Sequence, residues 1–257
     1  IELFAKKHSL NTRTPTKLDI DEEYNFLKEL KPDIVIVVAY GKIIPKRFLN
    51  LSKFGFINIH ASLLPKWRGA APIQRSIMNL DNETGISIMK IVEGLDSGPV
   101  MQQNKIKINE NIDSLTLSKV LSKLGAKSII EAIKKIEKGE AKFVEQDHNQ
   151  TTYAKKILKT EARIQWDETA RKILSKINGL NPNPGAWFEF KGQRYKVWKA
   201  KILSQKGVPG KILDNKLTVA CKDKAIKILE IQKEGKDRQE TEQFLLGNKM
   251  KQGESIF

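Results

Sequence analysis

Asn58 and His60 stand two residues apart in the run Phe56-Ile57-Asn58-Ile59-His60, and that spacing is the first sign of chemistry in the chain. Successive side chains of a strand point to opposite faces, so residues i and i+2 project together. A carboxamide able to donate to a developing oxyanion then lies beside an imidazole able to move a proton near neutral pH. A second loop, Gly94-Leu95-Asp96-Ser97-Gly98-Pro99, follows another apolar run and carries one carboxylate, Asp96. Taken singly, His60 reads as a packed core or surface histidine. Joined on strand-end loops, the three groups form a site in which amide, imidazole and carboxylate polarise, shuttle and orient.

The elements that must position these groups can be read from periodicity. Residues 33–40, Asp-Ile-Val-Ile-Val-Val-Ala-Tyr, form an apolar run typical of a strand buried on both faces. A helix precedes it from about Asp21 to Leu30, capped by Asp19 or Asp21 and stopped by Pro32. Gly41 then turns the chain into a short helix over 42–51, and 56–60 returns as a strand. This βαβ alternation predicts a parallel sheet with right-handed crossovers. Pro65 and Gly69 break the chain after His60, and a helix over 70–79 follows. The pair therefore belongs at the carboxyl end of a strand, where open α/β sheets bind their ligands. A strand over 84–92 leads into the Asp96 loop, and 101–108 reads as an edge strand. Leu117, Val120, Leu121 and Leu124 mark a long helix over 112–138, capped by Asp113 or Ser114 and ended by Gly139.

Beyond residue 141 the pattern weakens into polar residues, and 142–160 reads as an interdomain linker in which His148 is exposed. A helix is expected over 164–177. Short β-rich runs broken by Gly and Pro follow over 186–191, 194–202, 210–213, 216–221 and 225–232, spacing that suggests a small barrel, with a helix at 243–246 against it.

Asn58-x-His60, Ser62-Leu63-Leu64-Pro65, Arg68-Gly69-Ala70-Ala71-Pro72-Ile73-Gln74 and Gly94-Leu95-Asp96-Ser97-Gly98 together resemble the motif series of the folate-dependent formyltransferases. Tyr153-Ala154-Lys155-Lys156, Glu161-Ala162-Arg163-Ile164-x-Trp166, Asn181-Pro182-x-Pro184-Gly185-Ala186-Trp187 and Val197-Trp198-Lys199-Ala200 are similar to the methionyl-tRNA-specific branch of that superfamily. The resemblance implies a Rossmann-like α/β catalytic domain over 1–141, the linker 142–160, and an OB-like β-barrel domain over 161–257 that binds tRNA. It implies formyl transfer from 10-formyltetrahydrofolate to initiator methionyl-tRNA, with Asn58, His60 and Asp96 catalytic. Ser62, Leu63, Leu64 and Pro65 would shape the folate pocket, with the backbone of 38–41 opposite. Lys66 and Arg68 are candidates for the acceptor end of tRNA. Against that family, the sequence begins inside the second helix and lacks the first βαβ unit, which would leave the Val35 strand with an exposed edge. Two alternatives remain open: an inactive tRNA-binding remnant, and a formyltransferase acting on an amino-sugar nucleotide.

Composition fits a polyanionic partner. Across 257 residues, 46 Lys and Arg outnumber 30 Asp and Glu, a formal net charge of +16. The excess is +6 over 1–141, +2 over 142–160 and +8 over 161–257, so its largest share falls where the barrel is expected. The single cysteine, Cys221, leaves no partner for an internal disulfide and no cysteine-built metal site. It reads as a small buried hydrophobe. With no apolar run long enough to span a bilayer and no secretory pattern at the N-terminus, a cytoplasmic, monomeric protein without a metal is expected.

Overall fold

A computed structural model describes residues 1–256. In chain order its elements are α1 (Glu2–Lys7), α2 (Asp21–Leu30), β1 (Val35–Val38), α3 (Lys46–Leu49), β2 (Phe56–His60), β3 (Arg68–Gly69), α4 (Pro72–Met78), β4 (Glu83–Lys90) and β5 (Val100–Lys107). There follow α5 (Ser114–Glu137), β6 (Tyr153–Ala154), α6 (Ala170–Leu180), β7 (Ala186–Phe190), β8 (Gln193–Leu203), β9 (Thr218–Ala220), β10 (Ala225–Lys233), β11 (Arg238–Glu240) and α7 (Thr241–Gly247).

The first sheet has the order β1-β2-β4-β5. β1 and β2 are parallel, with Val38 beside Ile59, as the βαβ pattern predicts. The parallel arrangement stops there: β4 runs antiparallel to β2, with His60 opposite Ser87, and β5 antiparallel to β4. The reason lies in the path of the chain. After β2 it stays at the carboxyl end of the sheet, where Trp67 Nε1 donates to Asp81 Oδ2 at 2.7 Å just before β4 begins. β4 therefore starts where β2 finishes. β1 and β5 form the edges, and Val38 on β1 is 55% exposed.

α5 covers one face of this sheet. Its predicted cap is present, Asp113 accepting from Thr116 N at 2.7 Å. Leu117, Leu121, Ile129, Ala132 and Ile136 bury its apolar stripe against Ile57, Ile86 and Ile88, while Val120 faces solvent. A neighbouring core joins Ile44, Phe48 and Phe56 to the half-buried Leu27 and Val35. The cap expected for α2 differs: its N-cap is Ile20, which carries no side-chain acceptor. Asp19 and Asp21 instead pair with Arg47 at 2.8 and 2.7 Å, because a nearby guanidinium competes for the carboxylates.

The C-terminal sheet runs β11-β10-β8-β7, with β9 also on β10. All its pairs are antiparallel. It curls around a core in which Phe188 stacks on Tyr195 and Trp166 and Phe244 meet them edge-on. Residues 210–213, expected as a strand, make only isolated bridges. The helix expected from 164 begins at Ala170, capped by Thr169. Ile164 is drawn off instead, its N–H donating to the Trp187 carbonyl at 2.7 Å.

α6 is buried on both sides. Ile173, Leu174 and Ile177 face the C-terminal core, and the opposite side packs on α4, where Lys172 Nζ and Ser175 Oγ reach the Met78 carbonyl at 2.7 and 3.2 Å. Gly179 permits that approach, since a Cβ there would lie 2.7 Å from Met78 Cγ and 3.1 Å from the Gln74 carbonyl oxygen. Among the described residues no helix is long and apolar enough to cross a membrane.

Candidate active site

β2 delivers His60 to the carboxyl end of the sheet, and two loops close over its ring until it is 5% exposed. Nε2 lies 2.9 Å from the Trp67 carbonyl oxygen. A carbonyl only accepts, so Nε2 carries a hydrogen. In the neutral ring Nδ1 is then the bare nitrogen, and it faces Asp96 Oδ2 at 3.6 Å. A proton gained by the ring is therefore gained at Nδ1, beside a carboxylate. Asn58, half-buried between Val37 of β1 and Met89 of β4, projects from the same face of β2 as His60.

Both groups that flank the imidazole come from residues with a left-handed backbone, Trp67 at φ 62° and Asp96 at φ 45°. Such a conformation is uncommon outside glycine and persists where the surroundings enforce it. The enforcing contacts are visible. Trp67 is held by its indole bond to Asp81 and by Trp67 N donating to Thr152 Oγ1 at 2.9 Å. Asp96 Oδ2 accepts from Gly69 N at 2.8 Å. The 60s loop and the 90s loop thus meet over His60.

The Ser62-Leu63-Leu64-Pro65 run folds into the support of that arrangement. Ser62 is fully buried and its hydroxyl donates to the Lys66 carbonyl. Ser87 Oγ donates to the Ser62 carbonyl at 2.7 Å and accepts from Leu64 N at 3.1 Å, and Gln103 Nε2 donates to the Leu64 carbonyl at 2.8 Å. Leu63 is half-buried beside Gly85, and Leu64 and Pro65 border a groove of about 350 Å³ that continues along Gln102, Gln103 and Glu145. Val38, which pairs with Ile59, and Tyr40 and Leu95 expose apolar surface near the strand ends. Partial burial raises the Tyr40 phenol above its ordinary value.

Arg68 corrects its sequence-based placement. It is only 4% exposed, and its Nε and Nη2 donate to Gln146 Oε1 at 3.1 and 2.7 Å. A guanidinium so engaged is unavailable as a surface cation for RNA, whereas neighbouring Lys66 is exposed. Nη2 also lies 3.2 Å from Nδ1 of the exposed His148. The 142–160 segment packs closely on these loops: Val144 bridges Val100, and Tyr153 and Ala154 pair with Arg68 and Gly69. Arg75 fixes its far end through Glu161, at 2.7 Å, and the Lys155 carbonyl. The guanidinium holds the Glu161 carboxyl below the usual carboxylate range.

A second polar surface lies on the outer face of β7 and β8. The Arg194 guanidinium stacks 3.9 Å from the Trp187 ring centre, with Arg163 5.6 Å away, and Lys196 and Arg238 each lie 5.5 Å from the Trp198 ring. Both indoles are half-buried, leaving aromatic surface interleaved with cations. This is the chemistry of a platform that stacks bases and follows a phosphate backbone.

A family model described as formyl transferase matches residues 2–133, and one described as formyl transferase, C-terminal domain, matches residues 156–249. Methionyl-tRNA formyltransferase of Pelagibacter ubique is 52% identical over 258 aligned residues, spanning 100% of this chain and 83% of that protein. The enzyme of the same name from Carboxydothermus hydrogenoformans is 42% identical, spanning 100% of this chain and 84% of that protein. Among solved structures, HypX of Aquifex aeolicus in complex with tetrahydrofolic acid superposes with a TM-score of 0.72 at 19% identity, over 95% of this chain and 43% of that one. At that identity the likeness speaks for the fold.

Proposed function

The chain belongs to the formyl transferase family, and from that premise we propose that it transfers the formyl group of 10-formyltetrahydrofolate to the α-amine of initiator methionyl-tRNA. The single observation that carries the chemistry is the His60–Asp96 pair, 3.6 Å apart and enclosed by loops. The reaction forms a bond from the amine nitrogen to the formyl carbon and breaks the bond from that carbon to N10 of the folate. The amine must lose a proton, and N10 must gain one. In the tetrahedral intermediate the formyl oxygen carries negative charge.

Asn58 is the side-chain donor to that oxygen, a contact of a kind worth on the order of 3 kcal/mol. His60 is the proton carrier. With Nε2 committed to the Trp67 carbonyl, Nδ1 takes the proton from the attacking amine and returns it to N10. The Trp67 carbonyl holds the ring in that orientation, and Asp96 stabilises the imidazolium once Nδ1 has taken the proton. Ser62, Leu63, Leu64 and Pro65 act by fixing the loop that presents the Trp67 carbonyl, and Leu64 and Pro65 shape the folate side. The exposed apolar residues Val38 and Leu95 suit a flat heterocycle across the site.

Residues 1–141 act as the catalytic domain, 142–160 as its connection, and 161–257 as the tRNA-binding domain, whose face is the Trp187 and Trp198 platform. The protein works in the cytoplasm, a reading that fits its lone free thiol, and it is taken to act as a monomer. The experiment is formylation of methionyl-tRNA with 10-formyltetrahydrofolate, run beside a dTDP-amino sugar as competing acceptor. Formyl-methionyl-tRNA as the product supports the reading. Formylation of the sugar alone refutes it.

A further inference from the structure

We infer that Gln146 is a positioning residue for the Asp96 loop. It lies between the two stretches that the family models match, 2–133 and 156–249, in a run of polar residues, yet it is only 7% exposed. Its amide is used at both ends. Nε2 donates to the Asp96 carbonyl at 2.8 Å and to the Gly98 carbonyl at 2.7 Å. Oε1 accepts from Nε and Nη2 of Arg68 at 3.1 and 2.7 Å. One side chain therefore ties the backbone on both sides of Ser97 to the buried arginine that begins β3.

The consequence falls on Asp96. Its backbone is left-handed, at φ 45°, a conformation that a non-glycine residue relaxes from unless neighbours hold it. Gln146 fixes the carbonyl of that residue, and the carboxylate then reaches both Gly69 N and the imidazole face at Nδ1. Arg68 orients the amide: a guanidinium accepts nothing, so Oε1 must face it and Nε2 must face the two carbonyls. The order of dependence is Arg68, Gln146, Asp96, His60. Gln146 touches neither His60 nor the reacting atoms assigned to the site, so its effect passes through the placement of Asp96.

The test needs a structural readout as well as turnover, because the turnover arm rests on the formyl-transfer reading. Gln146→Met keeps the length of the side chain and removes both functions. Gln146→Glu keeps an acceptor for Arg68 and removes the donors to Asp96 and Gly98, and it carries the test if the methionine variant fails to fold. The Gly69 amide proton, bonded to the Asp96 carboxylate, is followed by 15N NMR. The inference expects this resonance to move upfield in both variants. It also expects kcat to fall by about 10- to 100-fold, as for a misplaced catalytic group, with KM for tRNA and folate within about twofold of the parent.

An unmoved Gly69 resonance overturns the inference, whatever happens to kcat. A moved resonance with unchanged kcat overturns it as well, by showing that placement of Asp96 does not matter. A parallel change in kcat and both KM values points to general loosening and likewise overturns it. If the parent chain forms no product, the formyl-transfer reading fails, and the NMR arm alone decides whether Gln146 positions Asp96.

Discussion

Replacing Asp96 by Asn removes a charge while leaving the local geometry almost intact. Asparagine tolerates a left-handed backbone, and its side-chain oxygen can still accept from Gly69 N, so the loop is expected to keep its path. What is lost is the attraction between the carboxylate and a protonated His60 ring. At the observed 3.6 Å, Coulomb's law with an effective dielectric near 20 gives about 4.6 kcal/mol. The two side chains are 18% and 6% exposed, so part of that is screened, and about 3 to 4 kcal/mol is a fair expectation for the step in which the imidazolium exists. Asp96→Asn should therefore lower the rate of formyl transfer by roughly 150- to 1,000-fold. The assay is single-turnover formylation of methionyl-tRNA at saturating folate and enzyme, with tRNA affinity measured separately and expected to be unchanged. A loss smaller than about tenfold would mean that no imidazolium forms opposite Asp96, and the proton route through Nδ1 would have to be given up.

Other expectations follow from separate parts of the molecule. Asn58→Ala should slow single-turnover transfer by on the order of 100-fold without altering tRNA affinity, and a change confined to KM would place Asn58 in binding instead. Trp187→Ala should weaken tRNA binding by about 1 to 3 kcal/mol if a base stacks there, whereas Arg194→Gln should also reduce the salt dependence of binding; filter binding across a salt series separates the two, and an unchanged slope speaks against the platform. Gly179→Ala should destabilise the protein by about 1 to 3 kcal/mol in urea denaturation, since the added Cβ meets Met78 Cγ at 2.7 Å, and an unchanged midpoint would show that Met78 yields freely. Burial pushes the Cys221 thiol up from 9.0 to about 12. In the unfolded chain the thiol ionises near its ordinary value while the folded one stays protonated, so this group's contribution is intact below about pH 9 and is lost progressively between about pH 9 and 12. Comparing urea stability of the parent and Cys221→Ala across that range tests the sign, and a difference that grew in the parent's favour with pH would contradict it.

The parts of the molecule legible in the sequence are those written in local periodicity. The β2 strand, the stripe of α5 with its Asp113 cap and the alternation of β5 follow from residue spacing alone. Contact between the two glycine-rich strand-end loops does not follow from spacing; the family resemblance implies it, and the structure shows it as the His60 to Asp96 approach. Direction was less legible. β1 and β2 obey the expected parallel pairing, but nothing local records that residues 61–81 stay at one end of the sheet and force β4 to run the other way. Burial of polar residues was least legible. Arg68 among Lys66 and Gly69 looks like surface charge, and Gln146 among Glu145, Asp147 and His148 looks like solvated chain. Their burial depends on each other and on contacts nearly eighty residues apart in sequence, for which no nearby residue provides a signal. The Trp67 carbonyl that receives His60 Nε2 is a backbone group and leaves no mark in residue type at all.

The central claim is that formyl transfer depends on the imidazole of His60 and that tRNA recognition does not. One experiment measures both: single-turnover formylation of methionyl-tRNA by the parent chain and by His60→Ala, with the tRNA dissociation constant of each determined in parallel. Formyl-methionyl-tRNA is expected from the parent, loss of the chemical step in the variant, and the same tRNA affinity in both. Equal rates in the two proteins, or an equal fall in rate and affinity, would contradict it.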